Sequence, residues 1–218
     1  MPDIILPGSA GRIEARYQRQ KAPGAPMALV LHPHPQFGGT MNNPLVYDLF
    51  HMFHGLGCTT VRFNFRGVGR SQGTFDNGSG ELSDAAAVLD WMNTLYPNPS
   101  NVWVCGISFG AWIGMQLLMR RPEITGFVSI APPASMYDFA FLAPCPASGL
   151  IVHGTKDNVV PEADVQKLVD RLTAQKGIKI TYNKVEGANH FFDKHEADVV
   201  ETVKEYVSNM MSKPREGR

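Results

Sequence analysis

The segment of residues 102–115 constrains the fold of this chain more than any other. Residues 102–105 form a short apolar run rich in β-branched and aromatic side chains, which is typical of a buried strand. Residues 106–110 then read G-x-S-x-G, and from Ala111 the apolar spacing becomes helical. This context predicts that the hydroxyl of Ser108 stands clear of a sharp turn, beside the free N–H groups of a helix N-terminus.

Strand-like and helix-like segments alternate along the whole chain. Apolar runs predict strands at 3–6, 12–19, 27–31, 59–63, 102–105, 126–130, 149–153 and 179–185. Helical spacing predicts helices at 44–54, 81–96, 111–121, 162–174 and 195–212, with Asn42 or Asn43 capping the first. The alternation predicts an α/β fold with a doubly wound, mostly parallel sheet. With no linker or repeat, residues 1–218 are expected to form one domain, with a frayed polar tail at 213–218.

The unusual loops of this chain all follow predicted strands. Since the carboxyl ends of parallel strands meet at one edge of the sheet, we expect these loops to share a single rim, where a ligand would bind. They are residues 32–40, 64–75, 106–110, 131–148, 154–161 and 186–193.

Two of these loops offer catalytic partners for Ser108. A serine hydroxyl needs a base within hydrogen-bond reach, and that base needs an orienting carboxylate. Asp157 and His190 follow the last two predicted strands, in the order that this topology requires. Asp193 and Glu186 are weaker candidates for the acid, because no strand end presents them in the same way. The alternatives without a catalytic role are that Ser108 caps a helix, that Asp157 lies in a turn and that His190 packs in the core.

A tetrahedral oxyanion needs two preorganised donors. The backbone N–H of Phe109 is the first candidate, because this residue follows the nucleophile. The second is expected in loop 32–40, whose prolines have no N–H, which leaves His34, Gln36 and Phe37. We favour Phe37, then Gln36, because two glycines follow and ease a close approach of the backbone.

Two further patterns suggest ligands only weakly. The pair His32-x-His34 has no carboxylate or cysteine beside it, and the three cysteines are scattered, so we predict no metal site. The segment 66–71 (RGVGRS) lacks the lysine-serine ending of a phosphate-binding loop, so we interpret it as a tight loop that braces the rim. Serine-based acyl transfer needs no cofactor, and we predict none.

Composition excludes several classes of partner. Twenty basic and twenty acidic side chains cancel, which gives no electrostatic reason to expect binding to nucleic acid or to an anionic membrane. No apolar run approaches the roughly 18 residues of a membrane span, and the N-terminus lacks the features of a signal peptide. We therefore expect a cytoplasmic protein that acts on a small-molecule acyl substrate; the sequence leaves open whether it forms a homo-oligomer.

Taken together, five motifs of this chain resemble the α/β-hydrolase superfamily over nearly its whole length. The motifs are H-P-H-P-x-x-G-G at 32–39, R-F-N-F-R-G-V-G-x-S at 62–71, G-x-S-F-G-A at 106–111, H-G-x-x-D at 153–157 and G-x-x-H-F at 187–191. The set is similar to small bacterial serine hydrolases on a dienelactone-hydrolase-like scaffold. The resemblance implies a triad of Ser108, Asp157 and His190. Dienelactone hydrolases usually have cysteine where this chain has Ser108.

Many members of that superfamily insert a helical cap where this chain has only residues 131–148. The prolines in this segment disfavour a long helix, so we predict no substantial cap and an open, shallow site. Apolar and aromatic residues predicted to bind the substrate are His34, Met136, Tyr137 and Phe141, with Phe139 and Leu142 beside them. The alternative is that the residues of 131–148 simply cover the edge of the sheet.

The sequence therefore predicts a serine hydrolase that cleaves a carboxylic ester through an acyl-enzyme. A thioesterase, an amidase or a peptidase would use the same triad. A ligand-binding sensor with slow turnover is the alternative from another class, because a fold alone does not establish catalysis.

Overall fold

The computed structural model describes residues 3–212, and the predicted frayed tail at 213–218 lies outside them. The described strands are β1 (Asp3–Gly8), β2 (Gly11–Gln18), β3 (Met27–Leu31), β4 (Thr59–Phe63), β5 (Val102–Ile107), β6 (Gly126–Ile130), β7 (Gly149–Gly154) and β8 (Ile180–Val185). The α-helices are α1 (Pro44–Gly55), α2 (Ser79–Leu95), α3 (Phe109–Arg120), α4 (Glu162–Thr173) and α5 (Glu196–Met211). None of the helices within residues 3–212 is long and apolar enough to cross a bilayer.

The predicted α/β fold is confirmed, with element bounds that differ by a few residues. Helix α1 begins as expected, because the Asn43 side chain accepts hydrogen bonds from the N–H groups of Leu45 and Val46. Helix α2 begins two residues earlier than predicted. The buried Glu81 carboxylate accepts the N–H groups of Gly78 and Asp76, which fixes that helix start.

All eight strands form one sheet, in the order β1-β2-β4-β3-β5-β6-β7-β8. The β1–β2 and β2–β4 pairs are antiparallel, and every other neighbouring pair is parallel. Helices α2, α3 and α4 pack on one face of the sheet, and α1 and α5 pack on the other. The parallel strands β3, β5, β7 and β8 therefore bring their following loops to one edge.

Two glycines allow α3 to lie directly against the central strands. A Cβ at Gly106 would lie 2.2 Å from the carbonyl oxygen of Gly110, and one at Gly110 would lie 2.5 Å from the carbonyl oxygens of Leu31 and His32. Real Cβ atoms do not approach backbone this closely. The two glycines flanking Ser108 are thus required by the close contact between strand and helix.

The segment 66–71 braces the fold through charge pairs. Arg66 forms a two-pronged pair with the buried carboxylate of Asp84 on α2, and Arg70 pairs with Glu14 on β2. The hydroxyl of Ser71 accepts the N–H of Glu14 at 2.9 Å. These bonds tie the loop after β4 to its neighbours, as the bracing interpretation requires.

We predict that Gly106→Ala destabilises the protein by at least about 2 kcal/mol, because its Cβ forces α3 away from β5. For a chain of this size, such a loss lowers Tm by roughly 4–8 °C. Thermal unfolding followed by circular dichroism measures it. The matched control is Gly55→Ala at the end of α1, where the added Cβ meets no heavy atom within 4 Å. Equal Tm values for the two variants would contradict the packing argument.

Candidate active site

Ser108 occupies a strained turn between β5 and α3. Its φ of 52° and ψ of −118° place it in a region that side-chain-bearing residues rarely adopt. The backbone N–H of Ser108 donates to the carbonyl of Ile130 at 2.8 Å, which helps to hold the turn. The serine side chain makes no capping bond to α3, so the helix-cap interpretation of this motif does not hold.

The structure brings the three predicted catalytic residues together. The Oγ atom of Ser108 lies 3.0 Å from Nε2 of His190, and Nδ1 of His190 lies 2.7 Å from Oδ2 of Asp157. The side chains of His190 and Asp157 are 6% and 0% exposed. A carboxylate only accepts hydrogen bonds, so Nδ1 carries the proton and Nε2 is free to accept from the serine hydroxyl.

Backbone N–H groups hold the Asp157 carboxylate in place. Its Oδ1 atom accepts the N–H groups of Val159 and Val160, each at 2.8 Å, while Oδ2 faces His190. Burial alone would raise the pKa of this carboxyl, but hydrogen bonds from His190, Val160 and Val159 keep the pKa below its ordinary value. Asp157 is therefore an ionised partner for the histidine at neutral pH.

Neither of the two weaker candidates for the acid is hydrogen-bonded to His190 in the described structure. Asp193 accepts a hydrogen bond from the side-chain amide of Asn189 at 2.8 Å and has no bond to His190. Glu186 is exposed, and no hydrogen bond or ion pair joins it to His190 in the described structure. The geometry thus assigns the carboxylate position to Asp157.

The structure differs from the expectation for the second oxyanion donor. Residues Pro35–Phe37 form a short 3-10 helix, in which the N–H of Phe37 donates to the carbonyl of His34 at 3.1 Å. The N–H of Gln36 donates to Nδ1 of His34 at 3.2 Å. Both N–H groups that the sequence favoured are occupied. Three residues of this loop line the cavity that holds Ser108: Pro33, His34 and Phe37. Proline has no N–H and the N–H of Phe37 is engaged, so the N–H of His34 is the one that has no acceptor among the described residues.

Phe109 begins α3, and its N–H is among the first N–H groups of a helix, which have no partner within the helix. No described residue accepts a hydrogen bond from it. Its ring is buried and lies 4.8 Å, centre to centre, from the ring of His34. The backbone at Phe109 is thus positioned by packing, while its N–H is left available.

A cavity of about 340 Å³ surrounds Ser108 and His190. Of the four residues predicted to bind the substrate, His34, Met136 and Tyr137 line it, and Phe141 does not. Its other lining residues are Pro33, Phe37, Asn43, Leu45, Ile107, Phe109, Pro133, Val159 and Phe191. The cavity is therefore mostly apolar.

Phe141 fails the prediction because it belongs to the packing of the segment itself. Its ring stacks on Phe139 at 6.0 Å, and Phe139 and Leu142 are buried in the core. Residues 131–148 contain no helix, so the expected absence of a cap is confirmed. The first part of this segment lines the cavity and the second part covers the sheet.

Two residues that the sequence analysis did not single out support the site. The buried His153 donates from Nε2 to the carbonyl of Val160 at 3.0 Å, and this nitrogen lies 3.7 Å from Oδ2 of Asp157. Burial lowers the pKa of His153, so it is a neutral partner behind the acid. The H-G-x-x-D motif contained this residue, but nothing in the motif indicated its contacts.

Trp112 is the other such residue, and it anchors the cavity wall. Its ring stacks on Tyr137 with centroids 4.3 Å apart, and its Nε1 donates to the carbonyl of Asp138 at 3.0 Å. Trp112 lies four residues after Ser108, but its stacking partner Tyr137 lies 25 residues further along the chain. This contact is set by tertiary structure alone.

The His32-x-His34 pair does not converge on a shared ligand. Nε2 of His32 accepts the N–H of Phe65 at 3.0 Å, and Nδ1 lies 2.6 Å from the carbonyl oxygen of Pro33. Burial lowers the pKa of His32 to about 4, so the ring is neutral. In residues 3–212, no group of three or more His, Cys, Asp or Glu side chains is placed to hold a metal ion.

Comparison with known proteins agrees with this fold. The family model described as X-Pro dipeptidyl-peptidase (S15 family) matches residues 12–143, more than half of the chain, and that of the prolyl oligopeptidase family matches residues 132–213. XC6422 from Xanthomonas campestris, described as an α/β serine hydrolase without lid, is 30% identical with a TM-score of 0.88, over 98% of this chain and 96% of that one.

The chain belongs to the α/β-hydrolase superfamily. It is a serine hydrolase of that fold. ATU1826 from Agrobacterium tumefaciens is 58% identical with a TM-score of 0.95, over 96% of each chain. Protein RP471 from Rickettsia prowazekii is 49% identical over 97% of this chain and 91% of the relative.

We predict that Asp157→Asn weakens the acid dependence of stability. The carboxyl pKa is lowered in the folded protein, so the ionised group stabilises the fold above its ordinary pKa of 3.8, and this stability is lost as the pH falls through the folded value. An amide does not titrate. Urea unfolding at pH 7 and pH 3 should show a smaller loss for the variant than for the wild type. An equal loss would show that the pKa of Asp157 is not lowered in the folded protein.

Proposed function

We propose that this serine hydrolase is a carboxylesterase that works through an acyl-enzyme. The observation that carries the proposal is the continuous chain of hydrogen bonds from Ser108 through His190 to the buried Asp157. Ser108 and His190, at one end of this series of hydrogen bonds, line a cavity that has few polar groups.

In the first half-reaction, the Ser108 oxygen attacks the ester carbonyl carbon while Nε2 of His190 takes the hydroxyl proton. The Asp157 carboxylate stabilises the imidazolium that forms. His190 then returns the proton to the leaving alcohol as the tetrahedral intermediate collapses to the acyl-enzyme. Water repeats the sequence, with His190 again as the base, and releases the acid and free Ser108.

The oxyanion of each tetrahedral intermediate needs donors that are already in place. We assign these to the backbone N–H groups of Phe109 and His34. Both lack an acceptor among the described residues, and both residues line the cavity with Ser108. The Nδ1 atom of His34 accepts the N–H of Gln36, which helps to hold the loop in a conformation that keeps the His34 N–H available.

The cavity favours an ester over a peptide. No Asp, Glu, Lys or Arg occurs among the described residues that line it. An enzyme that removes dipeptides from a chain end must bind an ammonium group, which is costly to desolvate without a carboxylate partner. The repeated N–H and C=O groups of a longer peptide also need partners, and each unpaired buried group costs about 1–3 kcal/mol.

We predict that Ser108→Ala lowers kcat/KM for a short-chain nitrophenyl ester by about 10⁴-fold or more, because no other group supplies the nucleophile. Labelling by a fluorophosphonate should disappear in the same variant. The matched control is Ser83→Ala, which removes a hydroxyl from the exposed side of α2 and should keep both properties.

Assays of the wild type on matched ester, thioester and amide substrates distinguish a carboxylesterase from a thioesterase, an amidase or peptidase, and a binding protein. A carboxylesterase should turn over the ester many times and prefer it to the amide. Labelling of Ser108 without turnover of any substrate would indicate a binding protein instead.

We predict that His34→Pro lowers kcat about 100-fold relative to His34→Ala, since the first removes the N–H and the second keeps it. The native φ of −55° and ψ of 124° suit a proline that is followed by Pro35. Circular dichroism checks that both variants fold. Equal kcat values would place the second donor elsewhere.

A further inference from the structure

Most of the exposed large apolar side chains of the described structure surround the mouth of one cavity. Seven such side chains are exposed in residues 3–212, and four of them line the cavity that holds Ser108. The mouth residues are Phe37, Met136, Val159 and Phe191, with exposed fractions from 42% to 78%. Single exposed apolar residues are normal on a protein, but a group of them around a cleft marks a place where something apolar binds.

The interior of the same cavity is apolar as well. Its floor residues are Leu45, Ile107 and Phe109, which are 3%, 4% and 1% exposed. Ser108 is half-buried and shares the cavity with both groups. A carbonyl carbon held at Ser108 therefore has apolar protein surface available both toward the floor and toward the mouth.

A short acyl ester would use only part of this surface. An acetyl group on Ser108 is too small to reach both the floor residues and the mouth residues, so the exposed rings and chains would stay in water. A charged group on either side of the ester would lose hydration without gaining a partner, because none of the described residues that line the cavity is Asp, Glu, Lys or Arg.

We propose that the substrate is an uncharged ester with an apolar chain on each side of the scissile bond. One chain lies on the floor residues, and the other lies across the mouth residues. This inference rests on the proposed carboxylesterase function and names the substrate class of the same site.

Two ester series test the proposal in the wild type. In one series the acid is butyrate and the alcohol grows from methyl to hexyl; in the other the alcohol is methanol and the acid grows from acetate to octanoate. In both series we expect kcat/KM to rise about fourfold per added methylene over the first few carbons, equivalent to about 0.8 kcal/mol. Titration of the released acid measures the rates.

A double variant tests the role of the mouth. Phe37→Ser with Met136→Ser should flatten the chain-length dependence in one of the two series, which identifies the chain that lies across the mouth. The control is Ile5→Ser with Leu95→Ser, which removes two exposed apolar side chains that do not line the cavity and should keep both dependences. All four side chains are exposed, so we expect both double variants to fold, which circular dichroism checks.

Two results would overturn the proposal: a flat dependence in either wild-type series, or unchanged dependences in the mouth variant. The rate at which alkyl fluorophosphonates of increasing chain length label Ser108 supplies a readout that needs no ester turnover. If no ester is hydrolysed but labelling rises with chain length in the wild type and less in the mouth variant, the carboxylesterase function fails and the apolar binding surface stands. If esters are hydrolysed without chain-length dependence, only the substrate class fails.

Discussion

The left-handed backbone at Ser108 is the constraint on which the rest of the site depends. A residue with a side chain adopts this conformation only where its surroundings hold it. Here the hydrogen bond to Ile130 and the close packing of α3 against β3 and β5 stabilise this conformation of Ser108. As a consequence, the Ser108 hydroxyl does not cap α3 but lies within hydrogen-bond distance of His190. The sheet topology places Asp157 on the far side of that histidine.

The electrostatics of the site follow from burial. Asp157 is the ionised group, held by two backbone N–H groups and by His190, while His153 behind it is kept neutral. The cavity lining adds no fixed charge. In the proposed mechanism His190 takes a proton from Ser108, and the imidazolium that forms has its Nδ1 atom 2.7 Å from the Asp157 carboxylate, in a region of low dielectric where the attraction is stronger than in water. The proton transfer that attack requires is favoured for that reason.

Most of the fold and the positions of Ser108, Asp157 and His190 were predictable from the sequence. Buried parallel strands appear in the sequence as continuous apolar runs, so the strands could be located. Because the loops after parallel strands meet at one edge of the sheet, residues far apart in the sequence could be predicted to lie close together. The second oxyanion donor was not predictable, because the 3-10 turn at Pro35–Phe37 engages the favoured N–H groups and leaves that of His34. Whether Tyr137 or Phe141 lines the cavity also depends on long-range packing, which periodicity does not report.

The absence of a cap between β6 and β7 in the described structure has a kinetic consequence. Among residues 3–212, no helix or strand lies between β6 and β7 to cover Ser108, so solvent has access to the acyl group of the proposed acyl-enzyme. In the proposed mechanism, deacylation then has an abundant acceptor in water, which favours hydrolysis over transfer of the acyl group to another alcohol. Departure of the products also requires no opening motion, so the slowest step is expected to be bond making and breaking rather than a conformational change.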